Sequence, residues 1–431
     1  MGVISCGTTM LDQGQFQNLP VVNWDTTVKT ANFTAVAGNG YFVNSTAAAR
    51  TVTLPASPSA GNIVSLKDYA GTAQTNAITI ARNGSNINGA AEDVIIINQG
   101  GAVTFFYIDA TQGWVVINSG QTNDAEPAGF ICATGGTITT SGDYKIHTFT
   151  SPGTFEVTKA GNAGGTNTFD YMVVAGGGGT GSKRNGGGGA GGFRESPGAA
   201  SGCYPVSPLA TGGCANVVTA VAGGATVTVG AGGGKDGSRT NGSDSSIGGS
   251  YGITSNGGGY GSHNDTSFLA QPGGSGGGGG KSDGNNTSPN TAAGNGNDPP
   301  TNPPQGQPGG AANTGNPNGG GGGGGATDAG DANPNPGQGG VGGDGAQTSI
   351  SGTATYYAGG GAGGSNFPGT AGNFGGLGGG GPAVPVPAPA PNPNQNGLAN
   401  SGGGGGSGRD GTNDTGGSGG SGIVIIRYQY Q

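Results

Sequence analysis

The placement of glycine limits what this chain can fold into more than any other feature. Of its 106 glycines, 21 fall in residues 1–170 and 85 in residues 171–431. About one residue in three of the second part is therefore glycine, a density that collagen reaches, but without a strict Gly-X-Y period. The glycines come in blocks instead: Gly176–Gly179, Gly186–Gly189, Gly232–Gly234, Gly257–Gly259, Gly276–Gly280, Gly319–Gly325, Gly378–Gly381 and Gly402–Gly406. Two states are open to such blocks. Glycine loses more backbone freedom on folding than any other residue, which favours a disordered tail. Extended left-handed helices with three residues per turn are the ordered alternative. They lack internal hydrogen bonds, and without side chains they approach until N–H and C=O groups pair between neighbours. The apolar run Gly422-Ile423-Val424-Ile425-Ile426-Arg427-Tyr428 at the end of the glycine-rich part reads as a β-strand and favours the ordered state.

The rest of the chain reads as β. Between residues 21 and 120, apolar alternation recurs at Thr51–Leu54, Ile63–Leu66, Ile78–Ile80, Val94–Ile97, Val103–Tyr107 and Trp114–Ile117. Turn residues separate these runs, among them Asn83-Gly84, Asn88-Gly89 and the stretch Asp109–Trp114. The expectation is an antiparallel β sandwich or barrel module. Residues 121–139 read as a linker. Tyr144–Phe149, Phe155–Val157 and Tyr171–Ala175 then predict strands ahead of the glycine blocks, with Ala225–Val229 as an internal strand. The expected fold class is all-β with almost no α-helix, its distal domain (residues 140–431) built of packed polyglycine II-type helices bracketed by β-strands.

Composition excludes several functions. Only 8% of residues are charged and the net charge is −8, so the clustered cations of a nucleic-acid-binding surface are missing. Four cysteines (Cys6, Cys132, Cys203, Cys214) and two histidines (His147, His263) do not have zinc-site spacing. Cys203 and Cys214 flank a short Pro-containing loop and are read either as a bridge or as two thiols. Gly280-Lys281-Ser282 lacks the glycine five residues upstream that a phosphate loop requires. Asp283, Asp298, Asp328 and Asp331 lie between glycine blocks without the aromatic surroundings of a paired-carboxylate glycosidase site. No enzyme activity, metal or cofactor is expected. The aromatic residues between blocks (Tyr251, Tyr260, Phe268, Tyr356, Tyr357, Phe367 and Phe374) are the candidate ligand-binding residues, because such side chains stack on sugar rings or anchor interfaces. The alternative is that they cover the bundle flanks or fill an oligomer axis.

The bracketing elements carry a resemblance. Thr148–Phe155, Tyr171–Gly179, Gly186–Phe193 and Gly419–Tyr428 together resemble the glycine-rich domain of tailed-bacteriophage fibre and adhesin proteins, over residues 140–431. The stretch Thr51–Ile117, with Lys67–Gly71, Arg82-Asn83-Gly84 and Gly113-Trp114, resembles β modules of phage fibres, and Val3–Gly14 resembles the N-terminal segment of virion proteins. The resemblance implies a homotrimeric virion fibre that binds a host receptor, without enzyme activity. Residues 1–20 would be a virion-anchoring leader bound to other virion proteins. The distal loops would contact a host-surface glycan or outer-membrane protein. The protein would be made in the host cytoplasm and stand on the virion surface, on tail or capsid. The other readings are a structural head-decoration or collar fibre without receptor binding, and an ice-binding polyglycine bundle, against which the irregular loops and unperiodic Thr spacing argue.

Overall fold

A computed structural model describes residues 22–119, 126–162, 164–181, 185–202, 204–210, 217–263, 269–280, 292–312, 319–332, 338–365, 374–384, 394–408 and 415–431. The chain divides into two compact units: Met1–Phe130 with Gly161–Asn167, and Ile131–Ala160 with Thr168–Gln431. Among the described residues the fold is all-β, interrupted by one 3-10 turn at Asp236–Ser238.

The first unit contains β1 (Asn23–Lys29), β2 (Phe33–Thr34), β3 (Asn39–Val43), β4 (Arg50–Thr53), β5 (Ile63–Asp68), β6 (Ile78–Ala81), β7 (Val94–Ile96), β8 (Ala102–Asp109), β9 (Gly113–Ser119) and β10 (Glu126–Pro127). They form two five-stranded sheets, in the orders β1-β3-β5-β8-β9 and β10-β7-β6-β4-β2. Side chains alternate between faces along a strand. One face of each sheet therefore meets the other in a shared core of Tyr41, Val43, Val52, Leu54, Val64, Leu66, Ile78, Ile80, Phe105 and Trp114. The sandwich is as expected, but its pairing is not purely antiparallel. β1 to β6 alternate between the two sheets, so β1, β3 and β5 run parallel, as do β2, β4 and β6. Antiparallel pairing begins where consecutive strands stay in one sheet, at β6–β7 and β8–β9. A chain that returns to the same sheet after a single strand in the opposite one comes back in the same direction, which overturns the purely antiparallel expectation, whereas β8 follows two strands in the opposite sheet and runs antiparallel to β5. At the β8–β9 turn, Asp109 Oδ1 accepts from the amides of Thr111 (2.8 Å) and Gln112 (2.7 Å). Gly113 there has φ +70°, and a side chain would run into the Asn86 carbonyl.

The described part of the expected linker, residues 126–139, contains strands. β10 pairs with β7. β11 (Cys132–Thr134) and β12 (Thr137–Ser141) join the second unit's sheets. That unit adds β13 (Tyr144–Phe149), β14 (Gly153–Lys159), β15 (Thr168–Val174), β16 (Phe193–Glu195), β17 (Val218–Thr219), β18 (Gly223–Thr228), β19 (Ser245–Ile247), β20 (Ile253–Ser255), β21 (Ala346–Thr348), β22 (Thr355–Tyr357) and β23 (Ile423–Gln429). One sheet has the order β11-β14-β18-β19-β20 and the other β12-β13-β23-β15-β16. The closing strand β23 thus lies between β13 and β15, antiparallel to both. Its composition follows from burial on both faces. Val424, Ile426 and Tyr428 pack toward the first sheet with Phe155 and Phe169. Ile423 and Ile425 pack on the opposite side with Met172, Phe193 and Tyr357. The chain leaves this sheet at Val174 and re-enters it opposite, at the register pair Val174–Ile423. Between them β16 returns to this sheet and β18–β20 join the other, and the glycine runs extend beyond the strand ends at Val174 and Ile423.

Candidate functional site: the glycine lattice, its far end and its flank

The glycine runs form a lattice of threefold helices, and run Gly186–Gly192 shows how it is built. Amides three residues apart bond to the same neighbour. Those of Gly186, Gly189 and Gly192 donate to the carbonyls of Ser262 (3.3 Å), Gly259 (2.8 Å) and Asn256 (2.8 Å). Those of Gly187 and Ala190 donate to Gly321 (3.0 Å) and Gly324 (2.9 Å), and those of Gly188 and Gly191 to Gly405 (2.9 Å) and Gly402 (2.8 Å). Its carbonyls accept from other directions: Gly187 from Gly278, Gly188 from Gly361 and Gly189 from Gly178, each bond 2.8 or 2.9 Å. A period of three is the signature of the polyglycine II conformation, and all seven amides of the run, with the carbonyls of Gly186–Ala190 and Gly192, find partners, as burial demands. Glycine is required because a Cβ at Gly187, Gly188, Gly323 or Gly404 would overlap a neighbour's carbonyl oxygen.

The hydrogen bonds also order the two ends. Ala175, Gly192, Asn256, Gln305, Ala326, Ala358, Gly402 and Gly422 lie beside the sheets; Ala175 N–H donates to Gly192 O, Phe193 N–H to Gln305 O and Ala326 N–H to Ala358 O. At the far end Gly186 bonds to Ser262, Gly364 to Asn185, Gly320 to Gly364, Gly340 to Gly320 and Gly408 to Gly181. A seven-residue run spans roughly 20 Å between the two levels. Residues 182–184, 264–268, 281–291, 313–318, 333–337, 366–373, 385–393 and 409–414 lie outside the described residues, and the described residues on either side of them stand at or near the far level. The described far-end crossing is Lys235–Arg239, where Asp236 N–H donates to Thr180 O and Asp236 Oδ1 accepts from Gly416 N–H (2.9 Å).

The candidate aromatics do not form one site. Phe268 and Phe367 lie outside the described residues, as do Cys203, Cys214, Asp283 and the leader. Tyr251 packs edge-on against Phe169 (5.1 Å between centroids) and its hydroxyl accepts from Val221 N–H (3.2 Å), so it closes the sheet core. Tyr357 is buried in the core on the lattice side, because β22 alternates, while its neighbour Tyr356 is turned outward. Both stand beside the sheets rather than at the far end. Tyr260 is half-buried within run 256–262. Phe374 is 74% exposed on the lattice flank. The Pro-rich segment Asn297–Pro304 is also at the sheet end: Asn297 Oδ1 accepts from Thr301 N–H (2.9 Å) and Gln305 N–H (3.1 Å), and the buried Gln305 side chain bonds to Asn256 and Pro299.

Beside the candidate Phe374 the flank carries Val341, Asp344, Gln347 and Leu377, which were not among the expected site residues. On a threefold helix, residues i and i+3 share a face. Gly342 N–H donates to Phe374 O (3.1 Å) and Gly345 N–H to Leu377 O (2.8 Å), so runs 341–345 and 374–377 lie side by side. Val341, Phe374 and Leu377 are exposed there, and Leu377 N–H donates to Asp344 Oδ1 (2.8 Å). Gln347 extends the first row and is the β-partner of Tyr356. The signal was present in the spacing Val341-x-x-Asp344-x-x-Gln347 and Phe374-x-x-Leu377.

Buried polar groups sit within the second unit on both sides of β23. Asp170 accepts from Ser196 Oγ (2.7 Å) and Ser201 Oγ (2.6 Å). Glu195 accepts from Ser207 N–H (2.8 Å) and from the Thr348 hydroxyl, and burial pushes its carboxyl above the usual range. The Arg427 guanidinium lies between the Tyr144 and Tyr204 rings (4.8 and 5.1 Å). His147 Nδ1–H donates to Gly135 O (2.7 Å), which leaves Nε2 to accept from the Tyr428 hydroxyl (3.0 Å); burial lowers its pKa below 6.5. These shifts act in opposite directions. As pH falls below 6.5 the unfolded chain takes up a proton that native His147 resists, so stability declines. Glu195 contributes stability that is fully present below pH 4.5 and lost as pH rises through its elevated folded value. Glu195→Gln is therefore expected to raise the second unit's stability relative to wild type progressively above pH 5, measured by urea denaturation at fixed pH values. A constant difference between the two proteins from pH 4 to 8 would contradict this.

The family described as a glycine-rich domain matches residues 150–429. No curated protein matches the chain.

Proposed function

The chain belongs to the glycine-rich domain family, and from that premise we propose that it is a receptor-binding fibre protein of a bacteriophage. In this reading the second unit is a display platform. One observation carries it: the residues that flank the segments outside the described ones, among them Asn185, Ser262, Gly320, Gly364 and Gly408, are held by hydrogen bonds at the lattice level remote from the sheets. A rigid scaffold that gathers variable segments at one end is the arrangement recognition surfaces use. The segments are rich in Asn, Thr, Ser and Pro, and their charges balance, with four basic (Lys183, Arg184, Lys281, Arg409) and four acidic (Asp265, Asp283, Asp410, Asp414) side chains, a composition suited to hydrogen bonding with glycan hydroxyls or with outer-membrane protein loops. Phe374 and Tyr356 on the flank are the described aromatics that remain available for stacking. Residues 1–20 attach the fibre to other virion proteins, and several copies at the virion surface turn weak contacts into avid attachment.

The test is competition for adsorption to host cells. Purified protein is expected to block virus adsorption. A variant with residues 313–318 and 385–393 replaced by short Gly-Ser connections is expected to lose that ability while its circular dichroism is unchanged. Replacing exposed residues of Asn297–Pro304, at the sheet end, is expected to leave it intact. If the full protein does not block adsorption at saturating concentration, the receptor-binding reading fails and a structural decoration or collar fibre takes its place.

A further inference from the structure

The first unit's two sheets differ on the faces they turn away from their shared core. In the sheet β10-β7-β6-β4-β2 the outward positions carry Thr34, Thr51, Thr53, Thr79 and Ala81, with Thr34 opposite Thr53 and Thr51 opposite Thr79, and one large apolar side chain, Ile95, which is buried against Gly164. Threonine ladders of this kind suit a solvated face. In the sheet β1-β3-β5-β8-β9 the inward positions are Tyr41, Val43, Val64, Leu66, Val103, Phe105 and Trp114. Alternation therefore turns Phe42, Phe106, Ile108 and Val115 outward. The register pairs Ile63 with Phe106 and Phe106 with Val115, which makes an apolar row across three strands. Trp24 lies over Gly40, where a Cβ would collide with it, and against Phe42 at 4.9 Å. Trp24 is 42% exposed, Ile108 44% and Ile117 55%. A sheet with apolar side chains on both faces is stable in water only when both faces are covered.

We propose that this outer face of β1-β3-β5-β8-β9 is an interface between copies of this chain. Charge and size both favour a second copy as the occupant. The outward positions carry one charge, Lys67, whose ammonium donates to Gly100 O. At the β1 edge Asp25 and Lys29 neutralise each other at 2.7 Å. The net charge of −8 therefore lies elsewhere, and the same face on another copy meets no repulsion. Five strands about 4.8 Å apart, each about 23 Å long, give a footprint of roughly 550 Å² before relief is counted. That approaches the ~800 Å² per partner of a standard stable interface. The proposal does not depend on the receptor-binding reading: a structural fibre would use the same face.

Sedimentation velocity of the full chain at about 1 to 50 µM tests it. Wild type is expected to sediment as an oligomer of two or more copies. Ile117→Asp and Ile108→Asp, both on exposed side chains, are expected to lower the mass to that of the monomer with an unchanged circular dichroism spectrum. Thr79→Asp, on the threonine face, is expected to keep the wild-type mass. A wild type that is monomeric throughout the range overturns the proposal. So does an oligomer that persists in both Asp variants, which would place the interface elsewhere.

Discussion

Gly188→Val is expected to destabilise the second unit strongly, because position 188 has no free direction. Its amide donates to Gly405 and its carbonyl accepts from Gly361, and a Cβ would overlap the Gly178 carbonyl and crowd the Gly405 amide. A core side chain that does not fit is usually accommodated by small shifts at a cost of about 1–3 kcal/mol. Here every neighbour is backbone, held by its own hydrogen bonds, so displacement spreads along whole runs. A loss of at least ~3 kcal/mol is expected, equivalent to a melting temperature lowered by roughly 6–12 °C in a unit of this size. Gly237→Ala is the control. That glycine has open space around its Cβ position and no left-handed φ, and its substitution is expected to change stability by less than ~0.5 kcal/mol. Equal melting of the two variants would show that glycine is not needed for close packing.

Deletion of Ile423–Gln431 is the second large effect. It removes the strand between β13 and β15, strips Val424, Ile426 and Tyr428 from one core and Ile423 and Ile425 from the other, and frees the returning end of the lattice. Each large apolar side chain removed from a core typically costs 2–5 kcal/mol, so the loss exceeds the 5–15 kcal/mol stability of an ordinary domain. The truncated chain is expected to lose the second unit's cooperative transition in differential scanning calorimetry and to keep that of the first. A full-size second transition in the truncated chain would contradict the position of β23.

The parts of this fold that the sequence reveals are those whose physical cause is local. Glycine blocks declare that backbones approach closely, and the apolar runs Tyr171–Val174 and Ile423–Ile426 declare strands buried on both faces. What it hides is pairing. Nothing in the alternation of Thr51–Leu54 or Ile78–Ile80 says that these strands run parallel, because direction follows from which sheet the intervening strand visits. Nor does a Pro-rich composition say which end of a lattice a segment occupies. Asn297–Pro304 and Pro382–Pro393 look alike in sequence, yet the first folds against Gln305 beside the sheets, while the described start of the second, Pro382–Val384, follows Gly381, whose amide donates to Gly404 within the lattice. The aromatic candidates divide for a similar reason. Alternation in β22 was enough to separate Tyr356 from Tyr357, but only once that segment was known to be a strand. The three-residue spacing of Phe374 and Leu377 was readable only once the helices were known to be threefold.

The most direct test of the account is amide hydrogen exchange along Gly186–Gly192 and Gly319–Gly325, since the display platform exists only if these runs are an ordered lattice. The account predicts protection close to that of β23, lost in a single cooperative step with denaturant. Exchange at the rate of an unstructured glycine peptide would contradict it, and the far end would then have no scaffold to hold it.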